Sequence, residues 1–304
     1  MVTVTYAPAL PNTKLPTRIQ AGIETGTLRA EEQNGVHPTY VVSDGEQECF
    51  FKNYTIRSTL AGVLAERMAF AGARESAALF YREPLSWTRV EAGERAAREA
   101  RALRQWQAIG IDTPRVISHD RTGLVLEAIR APTLKDAILD ATLKERHIQR
   151  YVEALHTARE AAFYIGDPSY LHNDPKTENA LVTDGRVYLI DPGMLTKNLP
   201  VRELDAAFSL AYLTNLEGIV RDAPPDERGR IEAATDMLAD AYLEHTDAEA
   251  RERMLDHAHP VSERHIARMK RVPLAPFQRF AIWLSYNDAE ALDRITTRIR
   301  TAPQ

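Results

Sequence analysis

One stretch constrains this chain more than any other: residues 171–194, LHNDPKTENALVTDGRVYLIDPGM. Four of its polar residues stand out: Asp174, Lys176, Asn179 and Asp191. The Asp-Gly pair at 184–185 supplies the positive φ angles of a tight hairpin, so the segments ALVT and RVYLI are predicted to pair and to bring Asn179 and Asp191 face to face. A solvated loop followed by an ordinary hairpin would use similar residues, because Asp and Asn are common in turns.

These side-chain types match the requirements of phosphoryl transfer. That reaction needs a carboxylate that orients the attacking hydroxyl, oxygen ligands for Mg²⁺ and cations on the phosphates. Mg²⁺ is typically held by one or two protein oxygen ligands together with phosphate oxygens. We therefore expect Asp174 to orient the hydroxyl, Asn179 and Asp191 to bind Mg²⁺, and Lys176 to contact the transferred phosphate.

The same motifs resemble those of protein kinases. HNDPKTEN is similar to the kinase catalytic loop HRDLKPEN, and LIDPGM stands where kinases carry DFG, with Pro192 in place of the phenylalanine. FFKNY resembles the strand whose lysine binds the α- and β-phosphates of ATP, which implies that role for Lys52. RAAREARALRQW resembles the helix that carries the glutamate partner of this lysine, which implies Glu99. GLVLEAI resembles the strand that leads into the inter-lobe hinge, which implies that adenine lies near Glu127 to Ile129.

Within this superfamily, residues 98–139 are most similar to the small atypical kinase of the KEOPS tRNA-modification complex. The RIO kinases and the lipopolysaccharide-core sugar kinases are also similar. The chain differs from them in its greater length, in the long interval between Lys52 and Glu99, and in Lys176, which is the residue of Ser/Thr kinases.

Two motifs of conventional kinases are missing from the sequence. No GxGxxG precedes Lys52, and the interval from Asp191 to the helix near Arg202 is too short for a full activation segment. These differences favour an atypical or small-molecule kinase over a conventional signalling kinase.

The resemblance implies an α+β, bilobal protein-kinase-like fold with an antiparallel sheet in the first lobe and mainly helices in the second. We expect an extended arm at 1–25, an N-terminal lobe at 26–126, a hinge at 127–132 and a helical lobe at 133–304. The helical lobe would contain the catalytic loop at 170–179 and the metal-binding DPG motif at 191–193.

Turn signals predict the start of the sheet. Asn-Gly at 34–35 and Asp-Gly at 44–45 indicate a three-stranded antiparallel meander over residues 26–55. Alternation places Phe50 and Lys52 on one face of the third strand and Cys49 and Phe51 on the other. TPRVISHD and GLVLEAI are predicted to add two strands.

Helical spacing follows in several segments. It is present at 57–82, from Glu91 to Ile109, after a Thr133 cap, from Glu145 to Tyr164, and from Arg202 onward. The last helical third is expected to break near 223–225 and near 272–276, where prolines occur. We expect Trp87, Trp106 and Trp283 to be core residues.

Several residues near the predicted site have a plainer interpretation. Lys52 could be a solvated lysine that protects a strand edge, and Glu91 and Glu94 lie on the same predicted helix as Glu99. His172 is expected to support the loop and not to act as a base, and Glu178 to be a surface or supporting residue. Asp205 would either brace the catalytic loop or interact with a helix dipole.

Composition narrows the function classes. The chain has 304 residues, a formal net charge of −5 and a single cysteine, Cys49. It has no typical signal sequence and no uncharged apolar run of the roughly 18 residues that a membrane span needs, so we expect a cytoplasmic protein. The charge disfavours direct nucleic-acid binding, although a basic patch near Arg264–Arg271 leaves it open. Three histidines are expected to be surface residues: His257, His259 and His265.

The acceptor is less constrained. A serine or threonine of a protein is the first expectation, because of Lys176 and the likeness to the KEOPS kinase. A sugar or other small hydroxyl compound is the second, because of the short segment after Asp191. A third is an ATP-binding or ATP-hydrolysing scaffold in a larger protein complex, suggested by Pro192.

Overall fold

The first half of the structure is built on one antiparallel sheet. The structure is a computed structural model that describes residues 15–33, 39–43, 48–55, 92–192, 200–269 and 291–303. Its five strands are β1 (Ala30–Gln33), β2 (Thr39–Ser43), β3 (Glu48–Asn53), β4 (Val116–His119) and β5 (Gly123–Glu127), in the order β1-β2-β3-β5-β4. The predicted meander and the two added strands are confirmed. The two predicted turns lie outside the described residues.

Strand β3 shows the predicted alternation. Cys49 and Phe51 are buried in one apolar cluster, whereas Phe50 packs against the main core on the other face and Lys52 is half-buried. Lys52 is paired with Leu124 of β5. A Cβ at Gly123 would lie 2.2 Å from the carbonyl oxygen of Lys52, so glycine is required for this close strand approach.

The N-terminal segment corrects one prediction. Helix α1 (Leu15–Glu24) covers the outer face of the sheet, so the extended arm predicted at 1–25 is wrong for these residues. Pro16 lies in the first helical turn, where the missing N–H costs no hydrogen bond. Ile19 and Ile23 are four residues apart and pack on the sheet. Residues 1–14 lie outside the described part of the chain.

Helix α2 (Ala92–Ala108) covers the inner face of the sheet. Ala96, Ala100 and Leu103 recur at helical spacing and are fully buried, and the helix ends just before Gly110, whose φ is +88°. The prediction from Glu91 to Ile109 is therefore confirmed to within about a residue at each end. The helix predicted at 57–82 lies outside the described residues.

Among the described residues, the regular structure of the second half is helical apart from one small hairpin. Its helices are α3 (Leu134–Leu139), α4 (Glu145–Ile165), α5 (Val201–Asp222), α6 (Arg228–Glu244) and α7 (Ala248–Met269), and residues 291–301 are also helical. Thr133 caps α3 through a capping box, as predicted. The hairpin pairs β6 (Ala180–Val182) with β7 (Val187–Leu189), which confirms that prediction.

The breaks between helices were only partly predicted. The break after Asp222 is confirmed, a second one at 245–247 was not predicted, and the one predicted near 272–276 lies outside the described residues. Trp106 is fully buried, as expected, whereas Trp87 and Trp283 are not described. Within the described ranges, no helix combines the length and apolarity that crossing a membrane requires.

Candidate active site

Lys52 lies at the centre of the candidate site. Its Nζ is 2.7 Å from Glu99 Oε1 on α2 and 3.7 Å from Asp191 Oδ2, just after β7. The side chains of Lys52 and Glu99 are 14% and 8% exposed, whereas that of Asp191 is 50% exposed. One ammonium group therefore links the sheet, its covering helix and the segment that follows the hairpin.

The charge of Lys52 is set by its two carboxylate neighbours. Burial alone would favour the neutral amine, but Asp191 and Glu99 outweigh it and raise the pKa of Lys52 above its ordinary value. Lys52 is therefore a permanent cation at neutral pH, as a ligand for phosphate oxygens must be. This environment excludes the interpretation of Lys52 as a solvated strand-edge lysine.

Glu99 is the helix glutamate that meets Lys52. Glu94 pairs with Arg98 on the helix surface, and Glu91 is outside the described residues. Because Glu99 lies between Ala96 and Leu103 on the inner face of α2, at helical spacing from both, its carboxylate lies under the sheet and not in solvent.

The catalytic loop gathers the other polar groups. Lys176 Nζ lies 2.9 Å from Asp174 Oδ1. Asn179 Nδ2 donates to the carbonyl oxygen of Asp174 at 2.9 Å and to its Oδ2 at 3.1 Å. Burial raises the pKa of Asp174, and this effect outweighs the opposing influence of Lys176. A carboxylate with a raised pKa is a better proton acceptor near neutral pH.

The hairpin brings Asn179 close to Asp191. The N–H of Ile190 donates to the carbonyl oxygen of Asn179 at 2.9 Å, which continues the β6–β7 ladder to the residue before Asp191. Asp191 has a φ of +49°, a left-handed conformation in which aspartate is enriched. Because the amide nitrogen of Asn179 is used by Asp174, its oxygen is the atom left for a cation. A carboxylate and an amide oxygen on one hairpin fit the ligand preferences of Mg²⁺.

Residues outside the motifs hold the catalytic loop in place. The Trp106 indole N–H donates to the carbonyl oxygen of Tyr170 at 2.7 Å, and the Tyr151 hydroxyl to that of Pro175 at 3.2 Å. The N–H of Thr177 donates to Asn215 Oδ1 at 3.2 Å. These contacts come from α2, α4 and α5, so local sequence spacing could not have predicted them.

The predicted hinge residues lie at the end of β5. The carboxylate of Glu127 accepts from the N–H of Arg115 at 3.2 Å, so its side chain is engaged with the neighbouring strand. Ile129 is half-buried in the segment that follows. Arg130 forms a two-pronged ion pair with Glu48 at the start of β3, with distances of 2.6 Å and 2.8 Å. Strand β3 is thus tied to the hinge at its end opposite Lys52.

His172 and Glu178, which were expected to support the loop, contact different parts of the structure. His172 is buried against Trp106 with ring centroids 5.1 Å apart, and burial lowers its pKa to about 4, so it is neutral at pH 7. Its Nδ1 accepts from the N–H of Asp174 at 3.3 Å, consistent with a loop-supporting role. Glu178 pairs with Lys135 of α3 at 2.8 Å.

Two expectations outside the site need revision. Asp205 forms a buried ion pair with Arg159 of α4 at 2.9 Å, an arrangement that neither proposed role had anticipated. The surface interpretation of His257 is wrong, because its ring is buried between α5 and α7 and contacts Glu203. The side chains of His259, His265 and the basic patch near Arg264–Arg271 lie outside the described residues. Among the side chains that are described, no cluster of three metal-binding residues occurs.

Comparisons with known proteins found two sequence similarities. The RIO domain model matches residues 69–200, a range that contains Glu99, the catalytic loop and Asp191 but begins after Lys52. The KEOPS complex subunit Bud32 of Pyrococcus abyssi is 32% identical over 106 residues, which are 33% of this chain and 44% of that protein. The aligned part thus spans less than half of the length of this relative. The five-stranded sheet and the helical second half form a bilobal α+β kinase-like fold, as the sequence predicted.

Proposed function

Because this chain belongs to the atypical branch of the protein-kinase-like superfamily, we propose that it is an ATP- and Mg²⁺-dependent phosphotransferase. The observation that carries the proposal is the double contact of Lys52, at 2.7 Å from Glu99 and 3.7 Å from Asp191. A lysine fixed by a helix glutamate beside an aspartate suited to Mg²⁺ is an arrangement for holding a triphosphate.

In the proposed reaction, Lys52, oriented by Glu99, holds the α- and β-phosphates, and the hinge from Glu127 to Ile129 borders the adenine. Asn179 and Asp191 hold Mg²⁺, which when bound neutralises charge on the phosphate oxygens.

The transfer step would take place at the catalytic loop. The acceptor hydroxyl oxygen forms a bond to the γ-phosphorus, and the bond to the β–γ bridging oxygen breaks, so that ADP leaves with the electron pair. The hydroxyl proton goes to Asp174, whose raised pKa suits it to this role. Lys176, whose ammonium group lies beside the carboxylate of Asp174, would contact the phosphoryl group during the transfer.

The proposed acceptor is a serine or threonine hydroxyl of a protein. A small hydroxyl compound such as a sugar is the second candidate, because only the residues from Pro192 to Pro200 separate Asp191 from α5. The relative from Pyrococcus abyssi is named as a complex subunit, so we further propose a protein partner complex, in which an ATP-hydrolysing role is a third candidate. The proposed location is the cytoplasm, and the net charge of −5 argues against direct nucleic-acid binding.

Incubation with γ-labelled ATP and Mg²⁺ tests the proposal. Label on the chain or on an added protein indicates a protein kinase, label on a compound from a metabolite panel indicates a small-molecule kinase, and free phosphate alone indicates an ATPase. No turnover of ATP under any of these conditions would refute the proposed function.

The Asp174→Asn variant assigns the activity to this site. We expect its turnover to fall by about 10²- to 10⁴-fold while nucleotide still binds, because only the proton acceptor is lost. Asp184→Asn is the matched control, since Asp184 lies at the exposed hairpin turn. Equal activity of the two variants would contradict the role of Asp174.

A further inference from the structure

Tyr54 lies beside the Lys52–Glu99 pair and has no role in the proposed reaction so far. It follows β3 directly, and its N–H donates to the carbonyl oxygen of Thr122 at 3.0 Å, so its backbone is anchored to the sheet. Strand alternation places it on the same face as Lys52, two residues away. Its ring packs against the main apolar core.

The hydroxyl of Tyr54 occupies the second oxygen of Glu99. Lys52 Nζ donates to Oε1 at 2.7 Å, and the Tyr54 hydroxyl donates to Oε2. Two donors from one strand therefore hold both oxygens of a single carboxylate. The guanidinium of Arg95, one turn before Glu99 on α2, lies 5.8 Å from the centroid of the Tyr54 ring and joins the same helix to the tyrosine.

The charges around Lys52 explain why a second donor matters. One ammonium group, that of Lys52, is shared between the carboxylates of Glu99 and Asp191. Glu99 is buried, and a buried carboxylate oxygen without a donor is costly. Burial, Glu99 and Asp191 all raise the pKa of Tyr54, so its hydroxyl keeps its proton and remains a donor.

We propose that Tyr54 is a positioning residue that holds Glu99 on Lys52 and away from the metal-binding side of Asp191. This inference rests on the proposed function and deepens it. Tyr54 fixes the rotation of the Glu99 carboxylate, so that Lys52 is directed at the phosphates and Asp191 is the carboxylate left for the divalent cation.

The Tyr54→Phe variant tests this role, because it keeps the ring and removes only the hydroxyl. We expect kcat for γ-phosphate turnover to fall about 10-fold, with KM for Mg-ATP within about 2-fold of wild type. The melting temperature should also be lower, because Oε2 of the buried Glu99 loses its donor. A second readout needs no turnover. Acylation of Lys52 by an amine reagent, followed by peptide mass spectrometry, should become several-fold faster, because Glu99 no longer holds the ammonium group in one place.

Tyr242→Phe is the matched control. Its hydroxyl is also buried, but it bonds to Ser209 Oγ at 2.6 Å among the C-terminal helices. We expect this variant to have a lower melting temperature than wild type, with unchanged kcat and an unchanged rate of Lys52 labelling. If Tyr54→Phe behaves like Tyr242→Phe, Tyr54 is a structural residue only and the inference is overturned. If the wild-type protein turns over no ATP, the proposed function fails, and the labelling of Lys52 still decides the role of Tyr54.

Discussion

Two buried ion pairs of similar geometry occur in different parts of the molecule. Lys52 and Glu99 join the sheet to α2 at 2.7 Å, and Arg159 and Asp205 join α4 to α5 at 2.9 Å. The side chains of each pair are almost enclosed, with exposures of 14% and 8% for the first and 7% and 8% for the second.

Their surroundings differ. Lys52 also contacts Asp191, which is half exposed, so its ammonium group is shared between two carboxylates. Arg159 contacts one carboxylate, and its Nη1 lies 3.1 Å from His156 Nδ1, a neutral acceptor. The half-exposed carboxylate of Asp191 suits a site that receives a cation with its ligand. The Arg159–Asp205 pair among the helices joins one cation to one carboxylate and suits a role in stability alone. Substitutions in each pair should therefore separate an effect on activity from an effect on stability.

The largest expected effect is on stability and comes from Arg159→Met. This change leaves the carboxylate of Asp205 buried without its partner, and breaking a buried pair in this way typically costs about 3–5 kcal/mol. Chemical denaturation measures the loss. We expect the activity per folded molecule to stay near that of wild type, because the pair is separate from the cleft.

The double variant Arg159→Met/Asp205→Leu is the control for this experiment. Replacing both partners with apolar residues of similar volume is often nearly neutral, so we expect most of the lost stability to return. A double variant as unstable as Arg159→Met would show that packing of the arginine stem, and not the unpaired charge, explains the loss.

The second effect is on activity and comes from Lys52→Met. Removing a preorganised cation from a phosphate site should lower kcat/KM for Mg-ATP by about 10²- to 10³-fold. The loss of stability should be smaller than in Arg159→Met, because Glu99 keeps the hydroxyl of Tyr54 and Asp191 is half exposed. Lys144→Met, at an exposed ion pair with Asp184, is the matched control. Retained activity of Lys52→Met would remove the cleft pair from the proposed mechanism.

The same contrast shows what the sequence could predict. The side of β3 that Lys52 faces follows from the two-residue period of a strand, and the approach of Asn179 to Asp191 follows from the Asp-Gly hairpin signal; both are local rules. Tyr54 obeys the same alternation and was missed only because its contact with Glu99 requires the position of α2. Arg159 and Asp205 are 46 positions apart in sequence and lie on two different helices, so no local pattern predicts their contact.

Two wrong predictions have physical causes of the same kind. The extended arm predicted at 1–25 is wrong from Leu15 onward, because Pro16 stands in the first turn of α1, where proline is accepted. A surface position is expected for His257 because no cysteine lies nearby and the three histidines at 257, 259 and 265 form no i, i+4 pair that would suit a metal. Its burial depends on the packing of α7 against α5, which brings it to Glu203.

The smallest expected effect concerns pH and again compares the two regions. Burial, together with Arg159 and His245, lowers the pKa of His156 to about 3. Its ring also lies against that of Tyr242, with centroids 5.3 Å apart. At a pH below 6.5, the ordinary pKa of histidine, His156 binds a proton in the unfolded chain but stays neutral in the folded protein. The free energy of unfolding should therefore fall as the pH decreases from about 6.5 toward 3, by at most about 1.4 kcal/mol per pH unit for one proton.

The His156→Gln variant cannot titrate but keeps an acceptor for Arg159. We expect its unfolding free energy, measured by urea titration at pH ~5 and pH ~8, to depend less on pH than that of wild type. Comparison with wild type cancels the contribution of carboxylates common to both proteins. In the cleft, His172→Gln should reduce the pH dependence of the unfolding free energy over a narrower pH range, since the pKa of His172 is lowered only to about 4. An equally steep pH dependence in His156→Gln would mean that this ring is protonated in the folded state, and that the pair of Arg159 and Asp205 lies in a more polar environment than its enclosure indicates.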